Sequence, residues 1–166
     1  MGEPNVEAEK VKQVKATVCF LMKENQVLLC LKKKKTFGQG YLVGPGGKVE
    51  TGETSEQCVV RETKEEIKVT PKHPEKSGTI IFNYSHDGIP EIQEVDFYIA
   101  KEWEGEPVET DEMKPEWFDI DKVPYDRMLP TNQKFIEPML HGKKVNGTVI
   151  FDEDFNPLSS ELIFDK

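Results

Sequence analysis

The sequence predicts an α/β fold in which helices pack on a layered sheet. Short apolar runs, partly β-branched, recur along the chain and are interspersed with two segments of helical character. Strands and helices in this arrangement are typical of a layered α/β domain. The length of 166 residues suits one such domain with a sizeable core.

The N-terminal part predicts a tail followed by a hairpin. Residues 1–15 are polar and mix acidic with basic side chains, so we expect a disordered tail there and a single domain over residues 16–166. Residues 16–22 and 26–31 are apolar runs separated by three polar residues. Two such runs predict a pair of antiparallel strands.

The next segment predicts a strand, a glycine-rich turn and the first helix. Residues 41–47 (YLVGPGG) begin as a strand and break into glycines, where backbone can approach a phosphate or a metal closely. Thr54 is placed as the N-cap of the helix, with Gln57 three residues on. We expect this helix to end near Ile67, before Pro71.

The rest of the chain predicts more strands and a second helix. The second helix is expected within residues 130–140, interrupted by Pro138. The expected strands are residues 77–84, 94–100 and 117–120, with turns or loops at 85–88 and 102–109 and a closing hairpin of 147–151 and 158–164.

Composition and charge exclude several classes of partner. The chain has 31 acidic and 22 basic residues, a net charge of −9, which argues against general binding of nucleic acid or of an anionic membrane. No apolar run is near the length needed to span a bilayer. Three cysteines without CxxC spacing predict buried thiols in a reducing compartment. We expect a cytoplasmic monomer.

An acidic cluster in residues 47–69 is the strongest functional signal. Glu62, Glu65 and Glu66 fall at i, i+3 and i+4, so a helix projects them into one sector. A solvated surface is the alternative, but like charges at this spacing disfavour a helix by roughly 0.2–0.5 kcal/mol per pair. Mg²⁺ prefers carboxylate oxygens and shares substrate phosphates. The cluster therefore predicts a metal-assisted phosphate site.

Arg61 strengthens that interpretation. It lies eight residues after Glu53, and if the intervening loop folds back, its planar fork can hold that carboxylate in a bidentate pair. Such a pair would fix the loop against the helix. A surface arginine is the alternative.

These residues carry a family resemblance. The order Gly47, five residues, Glu53, seven residues and then RETKEE resembles the Nudix box, the signature of hydrolases that act on a nucleoside diphosphate linked to another group. The sequence departs from the box at Lys68, where the box has glycine, and at Thr63, where it usually has an aliphatic residue. The resemblance implies an α/β/α sandwich around a mixed sheet. Six of seven fixed positions match: Gly47, Glu53, Arg61, Glu62, Glu65 and Glu66.

Within that family the sequence is most similar to the oxidised purine nucleoside triphosphatases. The likeness runs over about residues 15–164 and rests on VLLCLKKKKTFGQG, GPGGKVETGET, GEPVETDEMKPEWF and DKVP. It implies a cation, Mg²⁺ or substituting Mn²⁺, held by Glu62, Glu65, Glu66, Glu112 and Gly46. Arg61 and Glu53 are counted with the catalytic set, and one of Glu65, Glu66 or Glu112 would accept the proton of the attacking water.

The residues expected to contact the nucleotide match less well. Where that subfamily has an asparagine and two aspartates around the purine, this sequence has Val43 and, after Leu129, Thr131 and Asn132. Unpaired polar groups on a ligand cost about 1–3 kcal/mol each, so the preferred base is left open. Core packing is the alternative role for the two phenylalanines in this set. The remaining expected contacts are Thr17, Lys32, Phe37, Gly46, Gly47 and Phe82.

The predicted reaction is hydrolysis of a small-molecule nucleoside triphosphate such as 8-oxo-dGTP to a monophosphate and pyrophosphate. A Nudix hydrolase for another nucleoside diphosphate derivative, such as ADP-ribose or a dinucleotide, is the second hypothesis. A non-catalytic binding module of the same fold is the third.

Overall fold

The computed structural model describes residues 11–35, 39–86 and 88–165. Two helices are present in this part, α1 (Ser55–Ile67) and α2 (Asn132–Leu140), with a 3₁₀ turn at Tyr125–Arg127. The strands are β1 (Lys12–Lys23), β2 (Gln26–Lys32), β3 (Leu42–Val43), β4 (Gly46–Lys48), β5 (Thr70–Lys72), β6 (Glu75–His86), β7 (Ile89–Ala100), β8 (Glu102–Glu104), β9 (Met113–Asp119), β10 (Lys144–Phe151) and β11 (Pro157–Asp165).

A mixed sheet forms the centre of the fold. Within the described residues its order is β11-β10-β6-β7-β1-β2-β3, with β4 paired to β1 and β9 paired to β2. The β1–β7 and β6–β10 pairs are parallel and the other pairs are antiparallel. Strands β5 and β8 form a separate antiparallel ribbon. The expected mixed sheet is confirmed.

The two helices cover opposite faces of this sheet. Side chains alternate along β1, so Cys19 and Leu21 belong to the apolar cluster that contains Val59 and Ile67 of α1. Phe20 and Met22 belong to the cluster that contains Phe135 and other residues of α2. The result is the predicted α/β/α arrangement, with one apolar core on each side of the sheet.

Local chemistry defines both ends of α1. The Thr54 hydroxyl accepts from the Gln57 backbone N–H at 3.1 Å, and the Gln57 side chain accepts from the Thr54 N–H at 2.9 Å, which confirms the predicted cap. Lys68 ends the helix with a left-handed φ of 66°, although a side chain there costs roughly 1–2 kcal/mol. The Lys68 N–H still donates to the Lys64 carbonyl at 3.0 Å. The substitution of the box glycine therefore leaves the C-cap in place.

Several boundaries differ from the predictions. The first ten residues of the expected tail lie outside the described part, but β1 begins at Lys12, because residues 12–15 pair in parallel with residues 91–94 of β7. Part of the expected loop at 102–109 is strand β8, which pairs with β5. Pro138 does not interrupt α2, since buried side chains on both sides of it hold the helix on the core.

The three cysteines are free and buried, as predicted. Burial raises the pKa of the Cys19 thiol to about 12 and raises the pKa values of Cys30 and Cys58 as well. In the described part of the chain, no helix has both the length and the apolar character to cross a membrane.

Candidate active site

The glycine turn lies directly on the carboxylates of α1. A Cβ at Gly46 would be 1.9 Å from the Thr17 carbonyl oxygen, and a Cβ at Gly47 would be 2.4 Å from the Glu62 carboxyl group. The Gly46 N–H donates to Glu66 Oε1 at 2.9 Å. Only residues without a side chain allow the turn to approach the helix this closely.

Arg61 makes the contact that the spacing predicted. Its Nε donates to Glu53 Oε2 at 2.6 Å and its Nη2 to Glu53 Oε1 at 2.9 Å, which is a bidentate pair. The same Nη2 reaches the Lys48 carbonyl at 3.1 Å, and Nη1 reaches Glu62 Oε2 at 2.8 Å. Hydrogen bonds from Arg61 lower the pKa of Glu53 to about 2. Arg61 thus fastens the loop that follows the turn to the helix.

Glu66 and Glu62 are the enclosed carboxylates of the cluster. Glu66 is 3% exposed, and burial raises its pKa to about 7, with further contributions from the charges of Glu62 and Glu112. Burial also raises the pKa of Glu62, while hydrogen bonding to Arg61 opposes the rise. Glu62 and Glu66 are enclosed, and the charge of Glu112 acts on Glu66 as well, so this group of carboxylates favours a bound cation.

Glu65 and Glu112 lie further toward solvent. The Glu65 side chain is 56% exposed and accepts from Arg61 Nη1 at 3.3 Å. The Glu112 carboxylate pairs with Lys34 Nζ at 3.3 Å, and its backbone carbonyl accepts from the Lys33 and Lys34 N–H groups at 2.8 and 3.3 Å. Lys33 and Lys34 therefore lie against the loop that carries Glu112.

Lys32 belongs to the same electrostatic group. Burial lowers the pKa of its ammonium group, while the negative charges of Glu66, Glu112 and Glu62 act in the opposite direction. A half-buried cation that interacts with three carboxylates is suitably placed to neutralise an anionic ligand.

The carboxylates do not form a preformed metal cage. Over residues 11–35, 39–86 and 88–165, no three histidine, cysteine, aspartate or glutamate side chains converge on one point. Three of the carboxylates have partners within the chain, which are Arg61 for Glu62, the Gly46 N–H for Glu66 and Lys34 for Glu112. Mg²⁺ usually binds one or two carboxylates and completes its shell with water and phosphate oxygens. The Glu62 and Glu66 pair fits that smaller requirement.

The expected nucleotide contacts are distributed over both faces of the sheet. Thr17 is 1% exposed and is hydrogen bonded to Cys58 Sγ at 3.3 Å and to the Gly47 carbonyl at 3.5 Å, so it supports the glycine turn. Val43 packs on the same side as α1. Phe82 lies in the opposite core, with its ring centroid 5.9 Å from that of Phe135.

The remaining expected contacts lie near α2 or outside the described residues. Leu129 is buried, Thr131 has a left-handed φ of 75°, and the buried Oδ1 of Asn132 has no hydrogen-bond partner in the described part of the chain. Phe37 lies outside the described residues. Among the described residues of this set, Val43 and Phe82 belong to the apolar clusters on opposite faces of the sheet.

Two polar groups were not found from the sequence. Asp96 is 2% exposed and accepts from the Ser55 and Thr79 hydroxyls at 2.6 Å each, which ties the start of α1 to the sheet. The sequence feature that could have indicated Asp96 is a charged residue within the strand-like run EVDFYIA. Thr110 bonds to the end of α1 and to the Glu112 loop. No sequence pattern distinguishes Thr110 from any other threonine in a polar loop.

The fold and the box define the class of this protein. The NUDIX domain matches residues 11–139, so the chain belongs to the Nudix family. It is similar to the oxidized purine nucleoside triphosphate hydrolase of Danio rerio, with 41% identity over 131 residues that cover 79% of this chain and 82% of that protein. A crystal structure of a MutT protein from Bacillus halodurans superposes with a TM-score of 0.79 at 32% identity, covering 90% of this chain and 97% of that one.

A shorter match is also present. A stretch of 53 residues is 47% identical to the ADP-ribose pyrophosphatase of Methanocaldococcus jannaschii, covering 32% of this chain and 31% of that protein.

Proposed function

We propose that the chain is a Mg²⁺-dependent nucleoside triphosphate pyrophosphohydrolase that acts on oxidised purine nucleotides such as 8-oxo-dGTP. The products are a nucleoside monophosphate and pyrophosphate. The observation that carries this proposal is the enclosed pair Glu62 and Glu66 beneath a glycine turn. The similarity to the Danio rerio protein, which bears that activity in its name, supports the choice of substrate class.

The donor set suits a hard divalent cation. Nudix hydrolases generally use a divalent metal. Glu62 and Glu66 would hold it, with Glu65, Glu112 and the Gly46 backbone as further oxygen ligands, and Mn²⁺ is expected to substitute for Mg²⁺. When bound, the cation neutralises charge on the phosphates and lowers the pKa of a bound water.

The chain's own residues supply positioning and proton transfer. The Arg61 to Glu53 pair holds the loop, so that the glycine turn keeps its contact with the carboxylates. Glu65, Glu66 and Glu112 are the candidates to accept the proton of the attacking water. Lys32 would contact the phosphates as they enter the group of carboxylates.

Hydrolysis of another nucleoside diphosphate derivative is the second candidate. Val43, Thr131 and Asn132 depart from the residues expected around an oxidised purine, and the short match to an ADP-ribose pyrophosphatase covers part of the chain. A substrate panel of 8-oxo-dGTP, 2-oxo-dATP, dGTP, dATP and ADP-ribose separates the two. Preference for ADP-ribose over every triphosphate would reject the first proposal.

The site assignment is tested with two variants and a control. Glu66→Gln and Glu65→Gln keep the size of the side chain and remove its charge, and Glu161→Gln changes an exposed residue of β11. We expect Glu66→Gln to lower Mg²⁺-dependent pyrophosphate release by about a hundredfold or more, and Glu161→Gln to leave it unchanged. If both Glu66→Gln and Glu65→Gln released pyrophosphate at near wild-type rates, the assignment of these two residues to the metal site would be wrong.

A further inference from the structure

A single hydroxyl joins the C-terminal end of α1 to the loop that carries Glu112. Thr110 Oγ1 donates to the Glu66 backbone carbonyl at 2.7 Å. The same oxygen accepts from the backbone N–H groups of Glu112 and Met113, each at 3.3 Å. A hydroxyl has one hydrogen to donate and two lone pairs to accept, so all three are engaged here.

The position of the Glu66 carbonyl in the helix explains the contact. Glu66 lies in the last turn of α1, where backbone carbonyls have no partner within the helix. Thr110 supplies a donor to one of them, and the Thr110 N–H in turn bonds to the Met113 carbonyl at 3.0 Å. The backbone of the Glu112 loop is therefore held at a set distance from the residue that bears the most enclosed carboxylate of the site.

Glu112 also contacts two lysines that lie outside the helix. Its carbonyl accepts from the backbone of Lys33 and Lys34, and its carboxylate pairs with Lys34. A further link to α1 comes from Val108, four residues before Glu112, whose N–H donates to the Ile67 carbonyl at 3.1 Å. The Thr110 side chain thus bonds to the backbone of both Glu66 and Glu112.

We propose that Thr110 is a positioning residue that sets the Glu112 loop against α1, so that Glu112 and Glu66 act on the same cation and substrate. This inference rests on the proposed function. A serine at this position keeps the three hydrogen bonds, whereas a valine has nearly the same shape and loses them. Residues that orient metal ligands typically account for 10- to 100-fold of metal affinity or activity.

The test is a double-mutant cycle on the full chain. Thr110→Val and Thr110→Ser are made in the wild type and in Glu112→Gln, and Thr148→Val on β10 is the matched control. Mn²⁺ affinity is measured without nucleotide by electron paramagnetic resonance, and kcat and KM are measured with Mg²⁺. Circular dichroism establishes that each variant is folded.

We expect Thr110→Val to lower Mn²⁺ affinity and kcat by about tenfold, and Thr110→Ser to stay within about twofold of wild type. In the Glu112→Gln background, Thr110→Val should change either quantity less than twofold, because the group that it positions has already lost its charge. Thr148→Val should match the wild type.

Three results would overturn the proposal. An equal loss from Thr110→Val in both backgrounds would show that its effect does not pass through Glu112. A Thr110→Ser variant as impaired as Thr110→Val would exclude the hydroxyl, and a folded Thr110→Val with wild-type metal affinity and kcat would exclude the residue. Failure of the wild type to hydrolyse any nucleotide would instead reject the proposed function, and the Mn²⁺ cycle would still decide the role of Thr110.

Discussion

Replacement of Glu66 with glutamine should stabilise the metal-free protein at alkaline pH. The pKa of Glu66 is raised from 4.5 to about 7, chiefly by burial. The native state therefore binds this proton more tightly than the unfolded state does. The resulting stabilisation is complete below pH 4.5 and is lost as the pH rises through 7.

The size of the effect follows from the two pKa values. They differ by about 2.5, and at 1.36 kcal/mol per unit this corresponds to roughly 3 kcal/mol between pH 4.5 and pH 8. Glutamine keeps an oxygen that can accept from the Gly46 N–H and has no charge to bury. Glu66→Gln should therefore gain roughly 3 kcal/mol over the wild type between these pH values, at the expense of the metal site.

Urea unfolding in the presence of EDTA at pH 5 and pH 8 measures this difference. Glu62 and other carboxylates also contribute to the pH dependence, so the informative quantity is the wild type minus Glu66→Gln at each pH. Glu65→Gln is the matched control, because it removes a neighbouring glutamate whose side chain is 56% exposed. If the difference between wild type and Glu66→Gln were the same at both pH values, the argument from a buried carboxylate would be refuted.

Two further predictions concern the ion pairs around the site. Arg61→Lys cannot form the bidentate pair with Glu53, so we expect a lower thermal midpoint and at least about a tenfold loss of kcat. Calorimetry and pyrophosphate release measure these two quantities. Wild-type values for both would show that the Arg61 to Glu53 pair does not hold the site together. Lys34→Gln removes the ammonium group that pairs with the Glu112 carboxylate, so the Mn²⁺ affinity measured by titration should rise by up to about fivefold. Lys33→Gln is the control, because Lys33 pairs with Glu109 and its loss leaves the Glu112 pair in place. Unchanged affinity in Lys34→Gln would show that the pair does not compete with the metal.

The parts of the fold that depend on local chemistry were predictable from the sequence. The cap at Thr54, the end of α1 at Ile67 and the Arg61 to Glu53 contact follow from spacing along one segment, and the structure confirms all three. The first hairpin and the closing hairpin are also present. In each case the information lies within a few residues of the element that it determines.

The parts that depend on distant pairing were not predictable. The β5–β8 ribbon brings together three-residue strands that are too short to show alternation, and the start of β1 at Lys12 depends on its parallel partner β7. The faces occupied by Thr17 and Val43 depend on which helix covers which side of the sheet. Lys68 departs from the box glycine, yet its backbone adopts the left-handed conformation that caps α1.

Alkylation of the three buried thiols can be used to measure which parts of the protein open. A thiol that is protonated and shielded reacts with an alkylating reagent only after the surrounding structure opens. Cys58 lies on α1, whereas Cys19 and Cys30 lie on adjacent strands of the sheet. Labelling of Cys58 ahead of the other two would therefore report detachment of this helix, and simultaneous labelling of all three would report global unfolding.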